Sequence, residues 1–132
     1  MVCAILMTIA AISVPSFLAA RVGRAVGEVR TIETDISLYQ VMNDAYPYTL
    51  AQAGDGSLLD PWHHPYQYLN HATMKGNGQA RKDRFLVPLN DDYDLYSTGK
   101  DGTSVAPLTA KSSQDDILRA SNGSFIGLAS QF

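Results

Sequence analysis

Residues 1–43 read MVCAILMTIAAISVPSFLAARVGRAVGEVRTIETDISLYQVMN, and this stretch decides the fold. Residues 1–20 carry no charged side chain, and all ten lysine and arginine residues lie at Arg21 or later. An uncharged run of about 20 residues rises ~30 Å as an α-helix, roughly the hydrocarbon thickness of a bilayer. The run therefore predicts a membrane-spanning helix. Two alternatives stay open: a cleaved signal peptide, which would need a basic region before its apolar run, and a helix buried in a soluble core.

The second half of this stretch predicts a continuation as an amphipathic helix. Apolar side chains recur every three or four residues, which is the period of one helix face. We expect the helix to end near residues 44–46, because the residue before Pro47 avoids the α region. The apolar face should pack on the C-terminal domain, and the charged face should be solvated. The apolar positions are Val22, Val26, Val29, Ile32, Ile36, Tyr39 and Met42, and the charged ones are Arg24, Glu28, Arg30, Glu33 and Asp35.

After the helix, the chain predicts a small antiparallel sheet. Runs rich in aromatic and aliphatic residues at 66–69, 84–87 and 93–97 predict strands, and residues 124–128 predict a short strand or turn. A helical turn is expected at residues 116–121. The fold class is therefore α+β, a long helix packed on a small sheet. The predicted organisation is a transmembrane helix at 1–20, its amphipathic continuation at 21–45 and a C-terminal domain at 46–132 that contains an acidic loop at 98–116.

Composition and motifs argue against several classes of function. The chain has 132 residues and a formal net charge of −3, so nothing in its composition suggests nucleic-acid binding, which needs a basic face. We expect no enzymatic activity, because the sequence contains no nucleophile elbow, phosphate-binding glycine loop or paired-histidine zinc motif. His63 and His64 are adjacent and lie between Trp62 and Pro65. We expect them to fill a turn rather than to bind zinc.

The acidic loop is the candidate binding site. Asp101 and Gly102 lie near its start, and Asp115 and Asp116 close it. Calcium takes six to eight oxygen ligands from carboxylates, carbonyls and water, which a loop of this composition can supply. The spacing is not that of an EF-hand. A solvated acidic loop in which Asp115 is the N-cap of the next helical turn is the alternative, and the residues alone leave both open.

Three motifs in this order resemble the type IV pilin-like family, and most closely the major pseudopilin of type II secretion systems. Residues 10–17, AAISVPSF, resemble the latter part of the family's N-terminal helix motif. Residues 60–68, DPWHHPYQY, resemble the family's Asp-Pro-Trp-Gly-x-Pro-Tyr block, with His63-His64 in place of Gly-x. Residues 93–102, YDLYSTGKDG, resemble the family's strand and calcium loop, and Asp116-Ile117 resembles its closing Asp-Ile. Aligned on Pro15, the family's basic leader and first-turn glutamate are expected upstream of Met1.

The resemblance implies a structural subunit of a secretion pseudopilus or pilus-like filament. Such subunits pack their N-terminal helices into a homo-oligomeric helical filament, with other pseudopilins or pilins and the inner-membrane assembly machinery as partners. The implied location is the bacterial inner membrane, with a single span and a periplasmic or extracellular C-terminal domain. A membrane-tethered periplasmic ligand-binding domain, with Trp62, Tyr66 and Tyr68 as its ligand platform, is the alternative function.

The resemblance also implies that calcium binds the 98–116 loop. The matched ligand positions are the carboxylates of Asp101 and Asp116 and main-chain oxygens near Thr98. Thr103, Ser104 and Asp115 are further candidates. The chain has one cysteine, so no intramolecular disulfide can close this domain, and a bound ion would supply the corresponding constraint.

Overall fold

Helix α1 runs without interruption from Val2 to Asn43 and packs its second half on a four-stranded sheet. The computed structural model describes residues 2–76, 78–83 and 86–132, with side chains described from residue 19 onward. All neighbouring strands are antiparallel, and their spatial order follows the chain order. This architecture confirms the predicted α+β class. The strands are β1 (Gln67–Asn70), β2 (Tyr93–Ser97), β3 (Ile117–Ala120) and β4 (Phe125–Leu128).

The apolar face of α1 forms one side of the main core. Val29, Ile32 and Ile36 are fully buried, as the period of three or four predicted, and Val22 and Val26 pack beside them. They meet side chains of the sheet and of the segment that precedes it. The prediction was wrong at Met42, whose side chain is 75% exposed. The last buried helical residue of this cluster is Ile36. The apolar periodicity of α1 therefore continues beyond the part of the helix that packs on the core. The partners of α1 in the cluster are Leu50, Tyr66, Tyr93, Leu95, Ile117 and Ile126.

The other face of the sheet is covered by the loops. Side chains alternate across a strand, so Ile117 of β3 joins the helix side, whereas Leu118 faces away from it. On that second face Leu118 packs with Leu89 and Leu108, which come from the loops before β2 and before β3. Both faces of β3 are therefore buried, and the strand lies between β2 and β4.

Two local predictions need correction or limitation. The helical turn expected at residues 116–121 is wrong, because this segment forms strand β3. The N-cap role of Asp115 falls with it, since no α-helix follows. Pairing on both edges and burial on both faces override the weak local preference. The strand predicted at 84–87 falls partly on Arg84 and Phe85, outside the described residues, while Leu86 forms an isolated bridge with Asp83.

The charged face of α1 is less solvated than expected. The side chains of Glu28 and Glu33 are 16% and 26% exposed, whereas that of Arg24 is 64% exposed. Glu33 accepts a hydrogen bond from Arg119 of β3 and therefore belongs to the helix–sheet interface. Within the residues that the structure describes, no helix combines the length and the apolar character needed to cross a membrane.

Candidate cation-binding loop

The 98–116 loop leaves β2 through a tight turn. The Gly102 N–H donates to the Gly99 carbonyl at 3.3 Å, and both glycines adopt positive φ angles, +69° and +71°. Within this turn Asp101 accepts the Thr103 N–H at 2.9 Å through Oδ1. Glycine suits both ends because a side chain is disfavoured in the left-handed region. The turn places the Asp101 carboxylate at the surface, at the opening of the loop.

The two ends of the loop meet. Asp115 Oδ2 accepts the Asp101 N–H at 3.0 Å, although 14 residues separate them. Gly99 lies directly against Asp115, and a Cβ atom at Gly99 would overlap the Asp115 main-chain carbonyl. The predicted ligands Asp101 and Asp115 are therefore brought together, and Thr98 lies next to their contact point through Gly99.

Asp116 is the buried member of the site. Its side chain is fully buried at the start of β3, and its Oδ2 accepts a hydrogen bond from the Ser104 hydroxyl. Ser113 joins the two arms of the loop, because its hydroxyl accepts the Val105 N–H at 3.0 Å and donates to the Val105 carbonyl at 2.7 Å. The Ser104 hydroxyl therefore contacts Asp116, and the Ser113 hydroxyl lies beside that of Ser104.

Two carboxylate oxygens in this site have no hydrogen-bond partner. They are Oδ1 of Asp115 and Oδ1 of Asp116, and both atoms are buried. A buried carboxylate oxygen without a partner is unfavourable, because it loses its hydration and gains nothing in return. A cation close to either oxygen would offset this cost, so the two residues are compatible with a bound metal ion.

The electrostatics of the loop point the same way. The pKa of Asp116 is raised to about 7, chiefly by burial; the Ser104 hydrogen bond and Arg81 lower it, and the carboxylates of Asp115 and Asp101 contribute to the increase. Burial also raises the pKa of Asp115. The pKa of Asp101 is lowered, chiefly because its carboxylate accepts the Thr103 N–H. At Asp116, burial and the neighbouring carboxylates therefore outweigh the positive charge of Arg81.

The donor set suits an ion that accepts mixed oxygen ligands. In the part of the chain that the structure describes, no three acidic, histidine or cysteine side chains form a group that could hold a metal ion by themselves. Calcium draws on main-chain carbonyls, hydroxyls and water besides carboxylates. Asp115, Asp116 and the Ser104 hydroxyl would hold it, with Asp101 at the opening. Thr103 is exposed, and its N–H already donates to Asp101.

A second segment, the turn at residues 60–64, supports the start of this loop. Asp60 is buried, and its Oδ1 accepts the N–H groups of Trp62 at 3.0 Å and His64 at 2.8 Å. Its Oδ2 accepts the Ser97 hydroxyl at 2.5 Å, and the Ser97 oxygen accepts the Gly99 N–H at 3.0 Å. A continuous series of hydrogen bonds therefore joins the turn to the loop.

The two adjacent histidines do fill this turn. The His63 N–H donates to the Asp60 carbonyl at 2.9 Å, and His63 adopts a φ of +68°. The aromatic residues around them belong mainly to the core. Tyr66 is 5% exposed, Trp62 packs against the main core cluster, and the Tyr68 hydroxyl donates to the Pro47 carbonyl at 2.6 Å. An open cleft of about 330 Å³ lies beside them, with Tyr48, Tyr66 and Tyr68 in its lining.

Some residues of the site were not found from the sequence. Ser113 lies in a polar stretch without periodicity, so no local signal marks its bridging role. The buried position of Asp60 is signalled only by its place in the Asp-Pro-Trp block, since a short carboxylate before a proline is typical of turns.

Comparison of the chain with known protein families, with characterised proteins and with solved structures found no match.

Proposed function

We propose that this chain is a structural subunit of a membrane-associated filament of the pseudopilus or type IV pilus kind. The observation that carries the proposal is that the uncharged residues 2–20 and the core-packing residues 22–36 belong to one continuous helix, α1. Helix α1 begins at Val2, and among its residues with described side chains the first that packs on the core is Val22. Residues 2–20 of α1 extend over ~30 Å. Their sequence is uncharged, so they need an apolar environment, which lipid and neighbouring helices would supply.

Calcium is the second part of the proposal. The unpartnered Oδ1 atoms of Asp115 and Asp116 support a cation in the 98–116 loop, since their burial is costly without one. A bound ion would hold the two arms of the loop together and so stabilise the start of β3. This domain has no disulfide to perform that task.

A membrane-tethered ligand-binding domain is the alternative. The open cleft of about 330 Å³ beside Tyr48, Tyr66 and Tyr68 favours it, because its size suits a small molecule. A receptor of this kind would need no self-association through α1.

Crosslinking in cells tests the filament. With Cys3 replaced by serine, single cysteines are placed at successive positions of residues 1–20, and a short bismaleimide is added to whole cells. We expect ladders of crosslinked subunits, strongest at one helical period. As a control for reagent activity, an Arg24→Cys, Glu28→Cys pair should crosslink within one chain, because these side chains lie 2.8 Å apart. Monomers alone, with that control positive, would favour the tethered receptor.

Thermal unfolding of the detergent-solubilised full chain tests calcium. Millimolar calcium should raise the melting temperature by several degrees, and magnesium should raise it less. Asp101→Ala and Asp116→Asn should each remove most of this shift. Asp116→Asn should also raise the melting temperature without calcium, because it removes a buried charge. Asp44→Asn, at an exposed acidic residue, is the matched control. Equal melting temperatures of the unaltered chain with and without calcium would refute the site.

A further inference from the structure

The His64 side chain reaches across from the turn at residues 60–64 to the first turn of the 98–116 loop. Its Nδ1 lies 3.2 Å from the Gly99 carbonyl oxygen, 35 residues later in the chain. A carbonyl oxygen only accepts hydrogen bonds, so Nδ1 carries the hydrogen and donates it. Asp60 Oδ2 lies 3.9 Å from the same nitrogen, too far for a hydrogen bond. Gly99 is therefore the partner of Nδ1.

The imidazole ring also packs on the other end of the same turn. A Cβ atom at Gly102 would lie only 2.9 Å from His64 Nε2, so the ring rests on the bare Gly102 backbone. The Gly99 carbonyl meanwhile accepts the Gly102 N–H at 3.3 Å. Its two lone pairs are thus taken by His64 and Gly102, which leaves this oxygen unavailable to a cation.

Gly99 links His64 to the acidic end of the loop. One side of Gly99 is held by His64 and by the Ser97 hydroxyl, and the other side is pressed against Asp115. A shift of Gly99 would therefore displace the Asp115 carboxylate, which also holds the Asp101 N–H. His64 therefore acts on the Asp115 carboxylate through Gly99 and not through a hydrogen bond of its own.

We propose that His64 is a positioning residue for cation binding, and this inference rests on the calcium site proposed above. By donating from Nδ1 to Gly99, it holds the first turn of the loop in the conformation that presents Asp115 and Asp116 to the ion. The loop is organised before the ion arrives, so less ordering accompanies binding and the affinity is higher. The donor at the Nδ1 position, rather than the ring as a whole, carries this role.

A set of substitutions at one position separates the donor from the packing. His64→Leu keeps apolar volume and removes the donor. His64→Asn keeps a nitrogen donor one bond beyond Cγ, where Nδ1 lies, and His64→Gln moves the same amide one carbon further away. His63→Asn alters the neighbouring histidine, which is exposed, at a positive φ that asparagine tolerates. It is the matched control.

The measurement is calcium binding to the full chain by titration calorimetry with calcium chloride. We expect His64→Leu and His64→Gln to weaken binding roughly 3- to 10-fold, the usual effect of one hydrogen bond. His64→Asn and His63→Asn should stay within about twofold of the unaltered chain, by the same argument. In the absence of calcium, the Gly102 amide should exchange with solvent faster in His64→Leu than in His64→Asn, because its acceptor is no longer held.

The outcomes separate the two proposals. If the unaltered chain binds calcium and His64→Leu binds it equally well, the role of His64 is refuted and the site stands. The same holds if His64→Asn is as weak as His64→Leu. If the unaltered chain does not bind calcium, the site is refuted and the positioning role with it. Should His64→Leu fail to fold, the comparison of His64→Gln with His64→Asn decides the question.

Discussion

At the scale of single residues, burial raises the pKa of several carboxyl groups in this molecule. Asp55 is a second case besides the acidic loop. Burial, and then the neighbouring carboxylate of Asp35 on α1, together raise its pKa to about 6. Its Oδ2 atom is buried without a hydrogen-bond partner. Because the folded chain binds the Asp55 proton more tightly than the unfolded chain does, stability should rise as the pH falls from about 6 toward 4.

Replacing Asp55 tests this expectation. Between about pH 7.5 and pH 5 the free energy of unfolding of the unaltered chain should rise more than that of Asp55→Asn, since asparagine is neutral throughout; solvent screening of this partly exposed group limits the difference to about 1 kcal/mol. Urea unfolding at each pH gives the comparison. Asp44→Asn, at an exposed carboxylate, should keep the full pH dependence. An Asp55→Asn variant with the same pH dependence as the unaltered chain would contradict the assignment.

At the scale of elements, Arg119 joins helix α1 to the sheet. Its Nε donates to Glu33 of α1 at 2.5 Å, and its two terminal nitrogens donate to Asp92 at 2.7 and 3.0 Å. The guanidinium also lies 4.1 Å from the centre of the Tyr93 ring. These hydrogen bonds raise the pKa of Arg119 despite its burial, so the group stays charged. Removing Arg119 leaves the carboxylates of Glu33 and Asp92, which are largely buried, without their partner.

Arg119→Met should therefore destabilise the fold by about 3 kcal/mol. The measurement is the urea midpoint at constant dependence on urea concentration. Arg24→Met is the control, because Arg24 forms an exposed ion pair with Glu28 that should contribute less than about 1 kcal/mol. Glu33→Gln combined with Arg119→Met should cost less than the sum of the two single changes, since they share one contact. Equal costs for Arg119→Met and Arg24→Met would show that the contacts of Arg119 with Glu33 and Asp92 do not stabilise the fold.

At the scale of the whole molecule, one core cluster connects the parts of the chain. It contains Ile32 of α1, Tyr66 before β1 and Ile117 at the start of β3. Asp116, the buried residue of the acidic loop, directly precedes Ile117. Order in the loop and order in the sheet are therefore coupled through adjacent residues.

Because of this coupling, we expect the C-terminal domain to unfold in one step. Trp62 is the single tryptophan and packs against the cluster, so its fluorescence reports on the turn at residues 60–64. The unfolding free energy from Trp62 fluorescence should agree with that from amide exchange in β3 to within about 0.5 kcal/mol. Calcium should increase both values equally. A β3 that remains protected after the Trp62 transition would show two separate units.

The sequence by itself determined the elements that local patterns encode. The period of three or four placed Val29, Ile32 and Ile36 on one buried face, because a helix repeats every 3.6 residues whatever it packs against. The sequence also predicted strand β2 with its observed bounds, Tyr93–Ser97, because aromatic residues favour strands. The sequence also placed Asp101 and Asp115 near the two ends of one glycine-bearing loop, and a hydrogen bond joins these ends.

Only the tertiary structure decided what depends on distant contacts. Residues 116–121 became a strand because β2 and β4 pair on both sides, which no local propensity encodes. Glu33 belongs to the helix–sheet interface because it accepts a hydrogen bond from Arg119, which lies 86 residues later in the chain. His64 came to support the acidic loop in the same way, 35 residues from its partner. Contacts over such separations depend on how the whole chain closes, and the energies that select them are absent from any short stretch of sequence.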